Sequence, residues 1–269
     1  GLMIRLVASD LDGTLLLNKA QSLNPEVFEQ IKKLKEMGIL FVAASGRQYD
    51  NMLRLFEPVK DDIIYICENG AIIFYKGEVI HKSLMERSLG QEMLRAIIES
   101  PGTEVLLSGE HTSYIQPKKE SYANHLMNVV KNNVTIVEDI LKVPEDYMKI
   151  SLYEEKGLEE GLDTWLKRFK ARANVVTSGN GWLDMMPKGV HKGMALSKIL
   201  EMFQISPSEA VAFGDQYNDL EMLHLVDYDF AMESAMPRVK EESHYSTERV
   251  EKVLEEIIKG EFEEKRRKV

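Results

Sequence analysis

The 269-residue chain carries a single cysteine, Cys67. One thiol rules out a disulfide framework, and its place in Ile63-Ile64-Tyr65-Ile66-Cys67 marks it as a small core side chain. Long apolar runs are missing as well. No stretch nears the roughly 20 apolar residues that a membrane helix needs, and nothing resembles a signal peptide. The expectation is a cytoplasmic protein with no membrane partner. Basic residues are in deficit, 34 Lys and Arg against 44 Asp and Glu, for a formal charge of −10. That balance argues against a nucleic-acid partner, whose phosphates demand a basic face. Phosphorylated metabolites stay open, because a metal and a few local donors can hold them. Internal repeats and low-complexity tracts are lacking too. What is present is apolar material, 44% of residues, enough for one large domain or two smaller ones.

The stretch Met3 to Leu16 organises the rest. Ile4 to Ala8 is a short apolar run, the pattern of a strand buried on both faces of a parallel sheet. It leads into Asp10-Leu11-Asp12-Gly13-Thr14. Carboxylates at the carboxyl end of such a strand sit where open α/β sheets place their ligands. On a continuing strand the side chains of Asp10 and Asp12 would point the same way. Two anions that close repel unless a cation or a shared proton relieves them, and Mg²⁺ is the expected cation. Taken alone, Asp-x-Asp-Gly reads equally well as a turn.

Asn24-Pro25 opens a helix by its capping signal, with Val27, Phe28, Ile31, Leu34 and Met37 at helical spacing and Gly38 as its stop. A second buried strand, Ile39 to Ala44, ends in Ser45-Gly46-Arg47. Strand, helix and strand make a right-handed βαβ unit, so Ser45 emerges at the same sheet end as Asp10. Ser45-Gly46 is either a helix cap or a hydroxyl with bare amides offered to a phosphate. A helix over 48–56, a strand Ile63 to Cys67 and a hairpin across Lys76-Gly77 follow. From Ser83 to Met186 the texture changes to α+β, with hairpins and helices that include Tyr122 to Val130 and Leu158 to Phe169. We expect a core of residues 1–82 and 187–260, an inserted domain of 83–186, and a frayed tail of 261–269. Past Lys192, a helix precedes a fourth buried strand, Glu209 to Phe213, which runs into Gly214-Asp215-Gln216-Tyr217-Asn218-Asp219. A strand Tyr228 to Met232 and helices near 236–242 and 249–258 complete the core.

Three strands thus end in carboxylates, a hydroxyl and bare amides, and a lysine precedes the helix before the third. Phosphoryl transfer needs such a set: a nucleophile, an acid/base and charge neutralisation. The sequence resembles the haloacid dehalogenase superfamily phosphatases of the Cof-like subfamily. The resemblance rests on Asp10-Leu11-Asp12-Gly13-Thr14, Ala44-Ser45-Gly46-Arg47, Glu68-Asn69-Gly70-Ala71, Asp184 to Gly193, and Gly214 to Asp219. These span nearly the whole chain in the family's order.

The resemblance implies a doubly wound, Rossmann-like parallel-sheet core with an inserted α+β cap. It implies a Mg²⁺-dependent phosphatase of a small phosphorylated metabolite, such as a sugar phosphate. Asp10 would be the nucleophile and Asp12 the general acid and base. Asp10, the Asp12 carbonyl and Asp215 would hold the metal, with Asp219 beside them or acting through water. Ser45, Gly46, Lys192, Asn218 and the Leu11 amide would hold the phosphoryl group. Lys192 is preferred over Lys188 because it stands in the family's Lys-Gly position. His191, where relatives carry serine, reads as a surface substitution. Glu233-Ser234 and Glu248-Arg249 depart from the family pattern at the rim. Asn180, Trp182 and Asp184 are edge residues of the cap, with Trp182 the more core-like. A phosphotransferase or mutase of the same fold, and a non-catalytic sensor, are the alternatives.

Overall fold

The computed structural model describes residues 3–266. The chain opens with strand β1 (Leu6–Asp10), helix α1 (Pro25–Glu36), β2 (Leu40–Ala44), α2 (Tyr49–Leu55) and β3 (Ile63–Cys67). Asn24 caps α1 by accepting from the Glu26 amide, with Pro25 in the first turn. Both residues suit a helix start, where the first amides lack partners within the helix. A hairpin follows, β4 (Ile72–Tyr75) and β5 (Glu78–Lys82). Its turn residues Lys76 and Gly77 are both left-handed, φ 52° and 79°, as a two-residue turn between twisted strands requires.

The next segment holds α3 (Arg87–Glu99), β6 (Glu104–Ser108), β7 (Ser113–Ile115), α4 (Glu120–Asn124), β8 (Val134–Ile136), β9 (Lys149–Tyr153), α5 (Leu162–Phe169), β10 (Ala173–Gly179) and β11 (Trp182–Pro187). The chain then resumes the first pattern with α6 (Lys192–Met202), β12 (Ala210–Gly214), α7 (Leu220–Leu225), β13 (Tyr228–Met232), α8 (Pro237–Glu242), β14 (Tyr245–Thr247), α9 (Val250–Ile258) and α10 (Phe262–Arg266).

Among the described residues the strands form two sheets. The first has eight, in the order β14-β13-β12-β1-β2-β3-β4-β5. Its strands from β14 to β3 run parallel, and the β4–β5 hairpin continues antiparallel. From β1 the chain winds outward to β2 and β3, then returns to β12 and winds outward the other way. The sheet is doubly wound, and β1 beside β12 is its switch point, where ligand crevices open. The second sheet has six strands, β10-β11-β9-β6-β7-β8, antiparallel except for the edge pair β7–β8. Its β9 alternates. Ile150 and Leu152 join the apolar cluster under α3 and α5, while Lys149 reaches Gly46 in the loop after β2 and Ser151 bonds Asp184 of neighbouring β11. Among the described residues no helix is long and apolar enough to cross a membrane.

Four elements differ from expectation. The predicted Tyr122–Val130 helix is α-helical only to Asn124 and continues as a π-helical stretch, His125–Val130. The short strands β8 and β14 were not expected. At three residues each they carry too little alternation to stand out from loops. The predicted frayed tail is wrong for residues 262–266. These form α10, with Phe262 buried against the core and Arg266 Nη1 2.7 Å from Glu256 Oε2. One aromatic anchor and two ion pairs to Glu256, from Lys265 and Arg266, tie down a segment whose composition alone reads as solvated. Residues 267–269 of that tail lie outside the described residues.

Candidate active site

Asp10 ends β1 and is buried. In the sheet it pairs with Ala44 at the end of β2, while Ser9 pairs with Phe213 near the end of β12. The Asp10, Ser45 and Asp215 loops therefore leave the sheet side by side. Asp10, Asp215 and Asp219, all buried, each bring an oxygen within 4.8 Å of the others. The Thr14 hydroxyl lies 3.0 Å from Asp10 Oδ2 and 3.3 Å from Asp215 Oδ1, bridging the two. Lys192, fully buried at the start of α6, extends Nζ to 2.7 Å from Asp10 Oδ1 and 2.8 Å from Asp219 Oδ1. Asp219 Oδ2 accepts the Asp215 and Gln216 amides and so closes the loop after β12.

Three buried carboxylates against one ammonium leave two negative charges without a counterion. The electrostatics report this excess. Burial, and then the Asp219 carboxylate, push the Asp10 carboxyl well above the ordinary range, with Lys192 only partly offsetting them. Burial likewise raises Asp215. For Lys192 burial disfavours the charged form, but Asp10 and Asp219 outweigh it and hold its pKa above that of an ordinary lysine. A site built of hard oxygen donors with this surplus of negative charge fits a divalent cation of the Mg²⁺ type.

The expected parallel orientation of Asp10 and Asp12 does not occur. β1 stops at Asp10, and the chain turns through Gly13 at φ 84°, with Gly13 N–H bonded to the Leu16 carbonyl. The alternation rule ends where the strand does. The Asp12 side chain instead points outward to Arg47, which holds both its oxygens, Nε to Oδ2 at 2.9 Å and Nη2 to Oδ1 at 2.7 Å. Gly13 itself stands where no side chain fits, since a Cβ there would lie 1.9 Å from Asp215 Oδ2.

Ser45 is buried and accepts the Arg47 amide at Oγ, 3.0 Å. The loop is backed by Glu68 and Asn69, both left-handed at φ 52° and 57°. Their amides bond to the Arg47 and Ser45 carbonyls. Asn218 Nδ2 lies 3.4 Å from Asn69 Oδ1. Leu11 is a buried residue of the first turn, its carbonyl accepting from Thr14 and Leu16. Lys188 points away from the cluster and bonds the Ala171 carbonyl.

His191 is no idle surface residue: its Nδ1 accepts the Met194 amide at 3.0 Å and caps α6, the task a serine performs at that position. Asp184, expected as an edge residue of the cap, is buried. It accepts from Ser151 Oγ at 2.6 Å and from Asn69 Nδ2 at 2.8 Å. Trp182 packs with Tyr122 and Tyr153 in a small apolar cluster. Thr14, Arg47, Asn69 and Lys149 were not among the expected site residues. Thr14 stood in the Asp-x-Asp-Gly-Thr run, whereas Lys149 had no sequence signal beyond a charge in an apolar strand.

A family model described as haloacid dehalogenase-like hydrolase matches residues 7–257. The chain belongs to that family. It is an enzyme, a haloacid dehalogenase-like hydrolase. It is 26% identical over 264 residues to the 5-amino-6-(5-phospho-D-ribitylamino)uracil phosphatase of Escherichia coli, covering 96% of this chain and 97% of that one. Among solved structures, a protein from Eubacterium rectale superposes with a TM-score of 0.85 at 26% identity over 94% of this chain and 98% of that chain. A HAD/COF-like hydrolase from Plasmodium vivax shares the fold, TM-score 0.84 at 22% identity, over 98% and 97% of the two chains.

Proposed function

We propose that this haloacid dehalogenase-type enzyme is a Mg²⁺-dependent phosphatase acting on a small phosphorylated metabolite. Sugar phosphates and similar phosphomonoesters are the substrate class; the Escherichia coli relative is named for a phosphate ester of a ribityl chain on a uracil. The observation that carries the reading is the buried Asp10–Lys192–Asp219 bridge with Asp215 alongside.

Asp10, held in one orientation by Lys192 and Thr14, is the nucleophile. Its carboxylate oxygen bonds to phosphorus as the ester P–O bond breaks, giving an aspartyl-phosphate. Asp12 donates a proton to the leaving oxygen. It then takes a proton from the water that displaces Asp10, and inorganic phosphate departs. To reach the leaving group the Asp12 side chain exchanges its two bonds to Arg47 for the substrate. Lys192 neutralises the non-bridging oxygens together with the Ser45 hydroxyl, the Gly46 and Leu11 amides and Asn218. Asp10, Asp215 and the Asp12 carbonyl would hold Mg²⁺, and Asp219 steadies the loop that carries Asp215. When bound, the ion supplies charge neutralisation that lets an anionic nucleophile approach an anionic phosphate.

Residues 83–186 form the cap. It lies against the start of α2: Gln48, just before the helix, bonds Ser113 and the Asn133 backbone, and Asn51 bonds Asn132 and the Val130 carbonyl. A closed cap excludes bulk water from the intermediate.

The test is hydrolysis of p-nitrophenyl phosphate with Mg²⁺, read as phosphate release, followed by a panel of sugar phosphates. Asp10→Asn is expected to abolish turnover. Equal rates in that variant would refute the reading.

A further inference from the structure

Two charged side chains of the cap reach into the core without touching the reacting groups proposed above. Lys149, at the start of β9, is 5% exposed. Its Nζ lies 2.9 Å from Glu68 Oε1 and donates to the Gly46 carbonyl at 2.9 Å. Burial opposes its charge, yet Asp184 and Glu68 keep its pKa above the ordinary lysine value. Asp184, on β11, is 4% exposed and takes the Asn69 side-chain amide.

Each contact transmits an orientation. The Gly46 carbonyl that Lys149 holds shares a peptide plane with the Arg47 N–H, and that N–H donates to Ser45 Oγ. A hydroxyl has one proton and two lone pairs. With a lone pair committed to Arg47, the Ser45 proton is directed elsewhere, toward an incoming acceptor. Asp184 acts on the other side. A carboxylate only accepts, so it draws the Asn69 Nδ2 group and turns Asn69 Oδ1 back toward Asn218 Nδ2. The same Oδ1 stands 2.9 Å from where a Gly46 Cβ would be. Asn69 and its neighbour Glu68 hold left-handed backbones that cost free energy in non-glycine residues. The conformation persists because the Ser45–Arg47 loop and the cap together over-determine it.

We propose that Lys149 and Asp184 are positioning residues that aim Ser45, Gly46 and Asn218 at the phosphoryl group, so that docking the cap completes the phosphate site. The inference rests on the phosphatase reading. It adds that the phosphate cradle is only partly formed in the core alone, which couples cap closure to phosphate binding without any cap residue touching the phosphate. With the cap away, Glu68 loses its partner and the Gly46–Arg47 peptide its anchor.

The experiment compares wild type, Lys149→Met and Asp184→Ala on p-nitrophenyl phosphate with Mg²⁺, with inorganic phosphate as competitive inhibitor. Losing a charge-assisted hydrogen bond should lower kcat/KM roughly tenfold to a hundredfold. The inhibition constant for phosphate should rise in step. The Mg²⁺ concentration for half-maximal rate should stay put, since neither side chain contacts the Asp10–Asp215–Asp219 cluster; a general loss of structure would not separate the two. Should Lys149→Met fail to fold, Glu68→Gln/Lys149→Met removes both members of the direct ion pair together and must show the same loss. Wild-type phosphate inhibition in any folded variant overturns the proposal. An unmodified protein that hydrolyses nothing brings down the phosphatase reading and this one with it, whereas active variants with unchanged constants count against the positioning role alone.

Discussion

Lys192 Nζ sits 2.7 Å from Asp10 Oδ1, both side chains buried, across a gap of 182 residues in sequence. The contact joins the end of β1 to the start of α6, two elements that the inserted module separates. It sets the direction of the carboxylate of Asp10, the proposed nucleophile.

Removing that ammonium is the severest single change short of replacing Asp10. Lys192→Met leaves three buried carboxylates with no fixed positive charge. Breaking a buried pair from one side costs about 3–5 kcal/mol, and loss of a transition-state donor lowers kcat by roughly two to three orders of magnitude. Chemical denaturation and steady-state rates at saturating Mg²⁺ check both numbers. Stability and rate within twofold of wild type would contradict the role.

Metal and pH are linked through the same cluster. The carboxyls of Asp10 and Asp215 are raised in the folded protein by burial. A group raised on folding adds stability below its unfolded pKa and loses that contribution as pH rises through the folded value. The metal-free protein is therefore expected to lose stability as pH climbs from the ordinary aspartate value near 3.8 through the raised values. Mg²⁺ compensates the ionised form, so the gap in melting temperature with and without Mg²⁺ should widen as pH rises. Melting curves from pH 5 to 8, with Mg²⁺ or with EDTA, measure it. A constant gap would place the metal elsewhere.

Gly13 and Gly38 separate strain from collision. Both are left-handed, φ 84° and 77°, so alanine at either costs about 1 kcal/mol in backbone strain. Around Gly38 no atom lies within 4 Å of the added Cβ, whereas at Gly13 the Cβ would strike Asp215. Gly38→Ala should lower stability slightly and leave kcat/KM alone. Gly13→Ala should displace Asp215 and weaken Mg²⁺ activation at least tenfold, read as a shift in the metal titration.

Phe262 anchors α10 against Phe230 and Tyr228. Phe262→Ala should cost about 3 kcal/mol by opening a cavity, visible in urea unfolding. The site is remote, so kcat of the folded enzyme should not change. A stability loss under 0.5 kcal/mol would show that the segment from 261 onward is dispensable.

Much of the core could be read from local pattern. Ile63–Cys67, Glu104–Ser108, Lys149–Tyr153 and Tyr228–Met232 have the bounds that their apolar or alternating runs imply. Runs of that kind signal burial directly, because period and hydrophobicity are properties of neighbouring residues. Asp10 and Asp215 stand at the ends of buried strands, and Asp219 follows in the turn before α7. Lys149 has no such mark: on β9 it looks like the polar half of a half-exposed strand. Only the docking of the second sheet on Gly46 and Glu68 makes it a buried charge. The burial of Asp184 likewise comes from contacts with Ser151 and Asn69 that its neighbours in sequence do not signal, and the direction of Asp12 departs from strand alternation because the turn at Gly13 ends it.

Order along the chain was therefore enough to read the βα rhythm and the polar residues that follow each buried strand. Those depend on interactions between residues a few positions apart. Which carboxylates share one volume, which lysine lies against them and which residues of the second sheet pack on the loop after β2 are long-range facts. They arise when strands distant in sequence pair at a common sheet edge, and burial there multiplies the consequence of every charge.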